Sequence, residues 1–92
     1  MTMTTAPAES RETRLRRLHM RSMRRGTKEM DILLIRFSKA RLDQMDAEAL
    51  DAYEGLLEEN DQDLYQWISG QAPAPDIHAT LVAEIAQVAA SG

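Results

Sequence analysis

The stretch MRRGTKEMDILLIRF, from Met23 to Phe37, decides the fold because it contains a helix end, a turn and the start of a second helix. Arg24 and Arg25 precede Gly26, which stands where a C-cap glycine would close a helix. Thr27 follows, and its hydroxyl can cap the first turn of the next helix. The stretch therefore predicts two helices that meet at a short corner.

The second of these helices carries apolar residues at i, i+3, i+4 and i+7, the spacing of a buried stripe. Ile32 and Ile35 widen the stripe, so we expect this helix to be covered on more than one side. Phe37 is expected in the core for the same reason. The stripe comprises Met30, Leu33, Leu34 and Phe37.

Capping residues and apolar spacing predict three further helices downstream of the two that meet at the corner. No alternating run of strand length interrupts them, and the sequence QAPAP, residues 71–75, reads as a stiff linker. We therefore predict an all-α fold, a small five-helix bundle in a single domain over residues 10–90, behind a mobile tail of residues 1–9. The first helix is expected to end at about Arg24, and the fourth is stopped by Gly70. The predicted caps are Ser10, Thr27, Asp46, Asn60 or Asp61, and Asp76.

The other helices are expected to bury their own apolar positions in the core. Four methionines are interpreted as core fillers, because methionine adapts to irregular gaps. Trp67 is also assigned to the core. The expected positions are Leu15, Leu18, Met20 and Met23 in the first helix, Met30 and Met45 around the second, Leu50, Tyr53, Leu56 and Leu57 in the third, and Ile77, Leu81, Ile85 and Val88 in the fifth.

Charge is divided between the two halves of the chain, whose formal net charge over 92 residues is -4. All 11 basic residues lie between Arg11 and Arg41, whereas residues 46–92 carry acids and no Lys or Arg. Two interpretations stay open: the basic half docks on the acidic half within the molecule, or the two poles steer a partner.

The residue inventory favours binding over catalysis. The absence of cysteine excludes disulfides and thiol nucleophiles, and it points to a reducing compartment, for which we take the cytoplasm. No apolar run approaches the ~18 residues of a membrane span, so we expect no membrane insertion. His19 and His78 are isolated and lack the spacing of metal ligands. We expect an accessory binding protein and no enzyme.

Two segments together resemble the succinate dehydrogenase assembly factors that promote covalent flavin attachment. One is the Arg-Gly-x-x-Glu motif, here Arg25 to Glu29, which opens the second helix in that family. The other is Asp-x-Asp-Leu-aromatic-x-Trp, here Asp61 to Trp67, which forms the fourth. The resemblance covers roughly residues 14–88. Many relatives carry an aromatic residue in the first helix shortly before Arg-Arg-Gly; Met20 or Met23 is the candidate apolar anchor in its place.

The resemblance implies a client, the flavoprotein subunit of succinate dehydrogenase or fumarate reductase, to which FAD becomes covalently bonded. FAD would then be the client's cofactor, and we expect the chain to bind no cofactor stably and to be a monomer when free. In our hypothesis Gly26 lets a partner's backbone approach closely, Arg25 offers a fork of donors to the client, and Glu29 presents the complementary charge one turn away. Arg21, Arg24 and Asp31 extend this partner-binding surface.

Two alternatives come from other classes of protein. The basic first helix, RLRRLHMRSMRR, could contact phosphates in a nucleic-acid-binding module, although the acidic second half opposes this. An antitoxin-like inhibitor could use the same basic corner to hold a toxic partner. We expect no nucleic-acid partner.

Overall fold

The computed structural model describes residues 9–91, so the predicted tail lies outside the described part of the chain except for Glu9. Within residues 9–91 the chain forms five α-helices and one turn of 3-10 helix at Leu42–Gln44, with no strand. The prediction of an all-α five-helix bundle is confirmed. The helices are α1 (Arg11–Met23), α2 (Lys28–Arg41), α3 (Ala47–Leu57), α4 (Asp61–Ile68) and α5 (Asp76–Ser91).

Side-chain caps begin four of the helices. In each case the cap residue is extended, and its side-chain oxygen accepts a hydrogen bond from the backbone N–H three residues later. Between Asn60 and Asp61, Asn60 is the cap of α4. Asp76 is the first residue of α5 itself. The confirmed caps are Ser10, Thr27, Asp46 and Asn60.

The two glycines assigned to helix ends behave differently. Gly70 has a φ of 84°, the left-handed conformation that ends a helix, and it follows α4 as predicted. Gly26 does not adopt a positive φ, so the prediction of a C-cap glycine there is wrong. Helix α1 ends earlier, at Met23, with Arg24 as its C-cap. The need for glycine at position 26 has another cause, which lies in its contact with α4.

Helix α2 lies at the centre of the bundle and packs against α1, α4 and α5. Its residues Met30, Leu34 and Phe37 are fully buried, and the ring of Phe37 lies 5.6 Å from that of Tyr53 in α3. The hydroxyl of Tyr53 shares a hydrogen bond with Ser22, whose own hydroxyl also reaches the carbonyl of Leu18 at 2.8 Å. The core therefore includes one buried polar contact that ties α1 to α3.

Several residues assigned to the core lie at the surface. Met20 and Met23 are 46% and 55% exposed, Ile32 is exposed on α2, and Ile77 is 82% exposed. His78 takes the buried position expected for Ile77, because it stands at i relative to Leu81, Val82 and Ile85 at i+3, i+4 and i+7. Trp67 is only partly buried, and its ring packs 5.8 Å from that of His78.

A row of ion pairs joins α1 to α3 and to the start of α4. The two helices run in the same direction, so successive arginines meet successive acids at hydrogen-bonding distance. Hydrogen bonding to Arg17 lowers the pKa of Glu54, and the neighbouring Arg14 acts in the same direction. The first interpretation of the charge asymmetry, docking within the molecule, accounts for this row. The pairs are Arg14 with Asp51 and Glu54, Arg17 with Glu54 and Glu9, Arg21 with Glu58, and Arg25 with Asp61.

Candidate functional site

The corner between α1 and α2, residues 24–27, is fastened to the region where α3 ends and α4 begins. The guanidinium of Arg25 donates from Nε to Asp61 at 2.6 Å, and from its two terminal nitrogens to the carbonyls of Leu57 and Glu59 at 2.8 and 2.7 Å. The side chains of Arg25 and Asp61 are only 11% and 16% exposed. The three bonds engage each of the three guanidinium nitrogens of Arg25 inside the molecule.

Gly26 lies directly against the same carboxylate. Its backbone N–H donates to Oδ2 of Asp61, while Oδ1 of Asp61 accepts from Arg25. A Cβ at position 26 would lie 3.0 Å from Oδ2, closer than such contacts normally come. A contact within the chain therefore favours glycine here, since a Cβ would press on a carboxylate that hydrogen bonds hold from two sides.

Asp31 completes the corner from the side of α2. Its Oδ1 accepts the backbone N–H of Arg25 at 2.7 Å, and its side chain is half-buried in the first turn of the helix. The donors of Arg25 face inward and Asp31 holds the Arg25 backbone, while the expected contact of both residues with a partner stays a prediction. Both residues set the shape of the corner.

Three other members of the predicted partner-binding set have side chains that are at least partly exposed. Arg21 is half-buried and donates to Glu58 at 2.7 Å. Arg24 is exposed, and among residues 9–91 its side chain makes no hydrogen bond or ion pair. Glu29, exposed on the second residue of α2, likewise meets no cation within that range. Glu29 is thus a negative charge that the described part of the molecule leaves unneutralised.

A shallow groove of about 550 Å³ runs from Glu29 across the start of α4. Tyr65, which is 39% exposed, and Asp61 both line this groove. Sequence reasoning did not assign Asp61 or Tyr65 to the site, although both belong to the Asp-x-Asp-Leu-aromatic-x-Trp segment. The groove's remaining lining is polar and uncharged: Thr27, Gln62, Gln66 and Gln71.

Hydrogen bonds among Arg25, Gly26, Asp31 and Asp61 hold the corner in one shape, so the exposed charges beside it keep a defined position. Among the residues that the structure describes, no group of three His, Cys, Asp or Glu side chains could hold a metal ion. None of the described helices is long and apolar enough to cross a membrane. The arrangement suits recognition of another macromolecule by shape and charge.

The fold and the corner together define a small helical bundle with a charged, internally fastened corner. Residues 16–89 match the sequence model of the family described as flavinator of succinate dehydrogenase. The chain belongs to this family.

Individual relatives show the same similarity. The chain is 44% identical over 71 residues to the mitochondrial succinate dehydrogenase assembly factor 2 of Meyerozyma guilliermondii, an alignment that covers 74% of this chain and 53% of the relative. It is 45% identical over 67 residues to the FAD assembly factor SdhE of Acetobacter pasteurianus, covering 73% of this chain and 62% of the relative. The chain thus spans between about half and three fifths of the length of these two relatives.

Proposed function

We propose that this protein is an assembly factor that binds the flavoprotein subunit of succinate dehydrogenase, or of fumarate reductase, and promotes covalent attachment of FAD. Membership of the flavinator family supports the role. The single structural observation that carries it is the exposed Glu29, unpaired within residues 9–91, beside a corner that Arg25 and Asp61 hold rigid. A rigid charged corner can recognise one arrangement of a partner without rearranging itself.

The proposed mechanism is selection of a conformation of the client. The flavin bond needs a histidine of the client and the flavin methyl carbon in one defined arrangement, which a bound partner can favour. A protein that binds the competent conformation better than others by about 1.4 kcal/mol raises the ratio of competent to incompetent forms about tenfold. No proton-transfer residue of the assembly factor is needed, so we propose an accessory role and no catalysis of its own.

We also propose an oligomeric state, a cofactor content and a compartment for the protein. It acts as a monomer that forms a one-to-one complex, holds no cofactor of its own, and meets its client in the cytoplasm. The fungal relatives carry the word mitochondrial in their names, so the cytoplasm is proposed for this chain alone. A nucleic-acid-binding role is less well supported, because three arginines of the first helix (Arg14, Arg17 and Arg21) and Arg25 of the corner are paired with acids within the chain.

In-gel flavin fluorescence of a denatured lysate tests the role. A strain that lacks this chain is complemented with wild type, Glu29→Ala or Glu48→Ala. Glu48 is the matched control, because it is also exposed and is the second residue of a capped helix, so its loss removes the same helix-dipole interaction.

We expect a fluorescent flavoprotein band with wild type and Glu48→Ala, and a faint one with Glu29→Ala. A flavoprotein band of equal fluorescence in the deletion strain and in every complemented strain would contradict the proposed role. A bright band with Glu29→Ala, together with a faint band in the deletion strain, would keep the role but move the contact away from Glu29.

A further inference from the structure

The outer face of α1, continued by its C-cap residue Arg24, is a surface separate from Glu29, and of the predicted partner-binding set it contains Arg24. We propose that this face, defined by Arg16, Met20, Met23 and Arg24, docks an acidic segment of the flavoprotein partner in which carboxylates flank an apolar side chain. The inference rests on the proposed function for the identity of the partner. Its chemistry comes from α1 alone.

Helical spacing brings these four residues onto one stripe. Positions 16, 20, 23 and 24 stand at i, i+4, i+7 and i+8, and all four side chains are exposed. Leu18 and Ser22 are buried on the opposite side of the helix. The stripe is therefore a part of α1 that residues 9–91 leave uncovered.

The methionines form the apolar centre of this face. Met20 and Met23 are 46% and 55% exposed, among the most exposed large apolar side chains that the structure describes. Met20 lies in a groove of about 480 Å³ whose walls include Arg16 and Arg24. Flexible, polarisable methionine side chains adapt to the shape of a partner's apolar group.

The charges at the rim select an acidic partner. Arg17 and Arg21, on the α3 side of the groove, already meet Glu54 and Glu58. Arg16 and Arg24 make no ion pair or side-chain hydrogen bond among residues 9–91, so the groove retains positive charge. Carboxylates of a partner would complement it, and such rim charges increase the rate of association and its dependence on salt.

A polypeptide fits this face better than a duplex or a membrane. Glu54 and Glu58, the acids that pair with Arg17 and Arg21 of the groove, would repel a continuous row of phosphates. Two methionines offer a small apolar anchor, whereas helices that lie on membranes carry larger apolar residues along a whole face. A short segment with separate carboxylates can avoid the acids and still reach both arginines.

Titration of the purified flavoprotein subunit, without attached FAD, tests the inference. The proteins compared are wild type, the double variant Arg16→Glu with Arg24→Glu, the single variant Met20→Ser, and the charge-matched control Lys39→Glu with Arg41→Glu. The control residues are also exposed cations, at the far end of α2. Each titration is repeated at low and high salt, and then with a DNA duplex and with anionic phospholipid vesicles. Helicity and urea midpoints verify that each variant is folded.

We expect the Arg16→Glu, Arg24→Glu variant to bind the flavoprotein at least about tenfold more weakly than wild type and with a flatter salt dependence. Met20→Ser should weaken binding about threefold without changing the salt dependence, and the control should bind like wild type.

Binding of the charge-reversed variant equal to that of wild type would overturn the inference and leave the proposed function intact. Failure of wild type itself to bind the flavoprotein would reject both. Tighter binding of wild type to the duplex or to the vesicles, lost on charge reversal, would assign the face to that partner and overturn the inference.

Discussion

The Cβ that any other residue would carry at position 26 would lie 3.0 Å from a carboxylate oxygen of Asp61. That carboxylate cannot move away freely, because one oxygen accepts the Gly26 N–H and the other accepts Nε of Arg25. The glycine of the Arg-Gly-x-x-Glu motif and the first aspartate of the second motif therefore form one contact within the chain. This contact brings residues of the two motifs together in the fold.

Gly26→Ala is expected to lower the free energy of unfolding by about 1 kcal/mol, because its methyl group displaces Asp61. In an Asp61→Ala background the carboxylate that the methyl group would meet is absent. There Gly26→Ala should be neutral or should raise the free energy of unfolding by about 0.5 kcal/mol, because alanine lowers the conformational entropy of the unfolded chain. A double-mutant cycle by urea denaturation measures the coupling. Equal effects of Gly26→Ala in the two backgrounds would contradict the contact.

Asp61→Asn is expected to destabilise the protein by about 2 kcal/mol, since it leaves the largely buried guanidinium of Arg25 without its counter-charge. Asp63→Asn is the matched control, because Asp63 lies in the same first turn of α4 but pairs only with Asn60 among residues 9–91. Its expected cost is under about 0.5 kcal/mol. Urea midpoints separate the two variants, and similar midpoints would reduce the role of Asp61 to that of a helix-dipole charge.

Burial raises the pKa of Tyr53 from 10.0 to about 12, although the hydrogen bond with Ser22 acts in the opposite direction. The folded state therefore retains the phenol proton more strongly than the unfolded chain. Stability is unaffected below about pH 10 and falls between pH 10 and 12, by about 1.4 kcal/mol per pH unit. Urea midpoints measured across this range should decline for wild type and for Tyr65→Phe. A decline of the same size in Tyr53→Phe would refute the assignment.

Arg17 lowers the pKa of Glu54 below 4.5 by hydrogen bonding. A depressed carboxyl pKa contributes stability above the unfolded value, and this contribution is lost as pH falls through the folded value. Glu54→Gln should therefore cost about 1 kcal/mol at pH 7 and progressively less below about pH 4.5. The control is Glu48→Gln at an exposed carboxylate. A cost that stays constant down to acid pH would exclude a charge-dependent interaction.

The helices could be predicted from the sequence because their signals are local. Thr27 and Asp46 cap helices through contacts three residues away, and Met30, Leu34 and Phe37 follow one periodicity. Met20 and Met23 were placed in the core on residue type, whereas their spacing from Leu18 puts them near the opposite side of α1. Their exposure could have been derived from helical geometry.

The orientation of α5 was harder to predict. Ile77 and His78 each stand at helical spacing from Leu81 and Ile85, and hydrophobicity favoured the isoleucine. The buried alternative depends on tertiary contacts of His78: its Nε2 lies 3.0 Å from Glu59, and Trp67 covers its ring. Such contacts between distant parts of the chain leave no periodic signal.

The inward orientation of Arg25 could not have been read from the sequence, because two of its acceptors are backbone carbonyls, those of Leu57 and Glu59. Every residue carries a carbonyl, so no residue type marks these partners. The sequence does show the carboxylate partner, Asp61, but an acid in the first turn of α4 is already explained by its interaction with the helix dipole. The location of the candidate site was thus predictable, but the division between residues that shape it and residues that face outward was not.

Arg25→Lys tests that division. A lysine cannot reach Asp61 and the two carbonyls together, because it lacks the planar fork of donors. We expect the free energy of unfolding to fall by about 2 kcal/mol and flavinylation to weaken with it.

Trimethylamine N-oxide, which favours the folded state without replacing any contact, should restore client binding in the purified system if Arg25 acts by holding the corner. Arg24→Lys, at an exposed position, should leave the urea midpoint unchanged. Persistent loss of binding by a fully refolded Arg25→Lys protein would instead return Arg25 to the partner-facing surface.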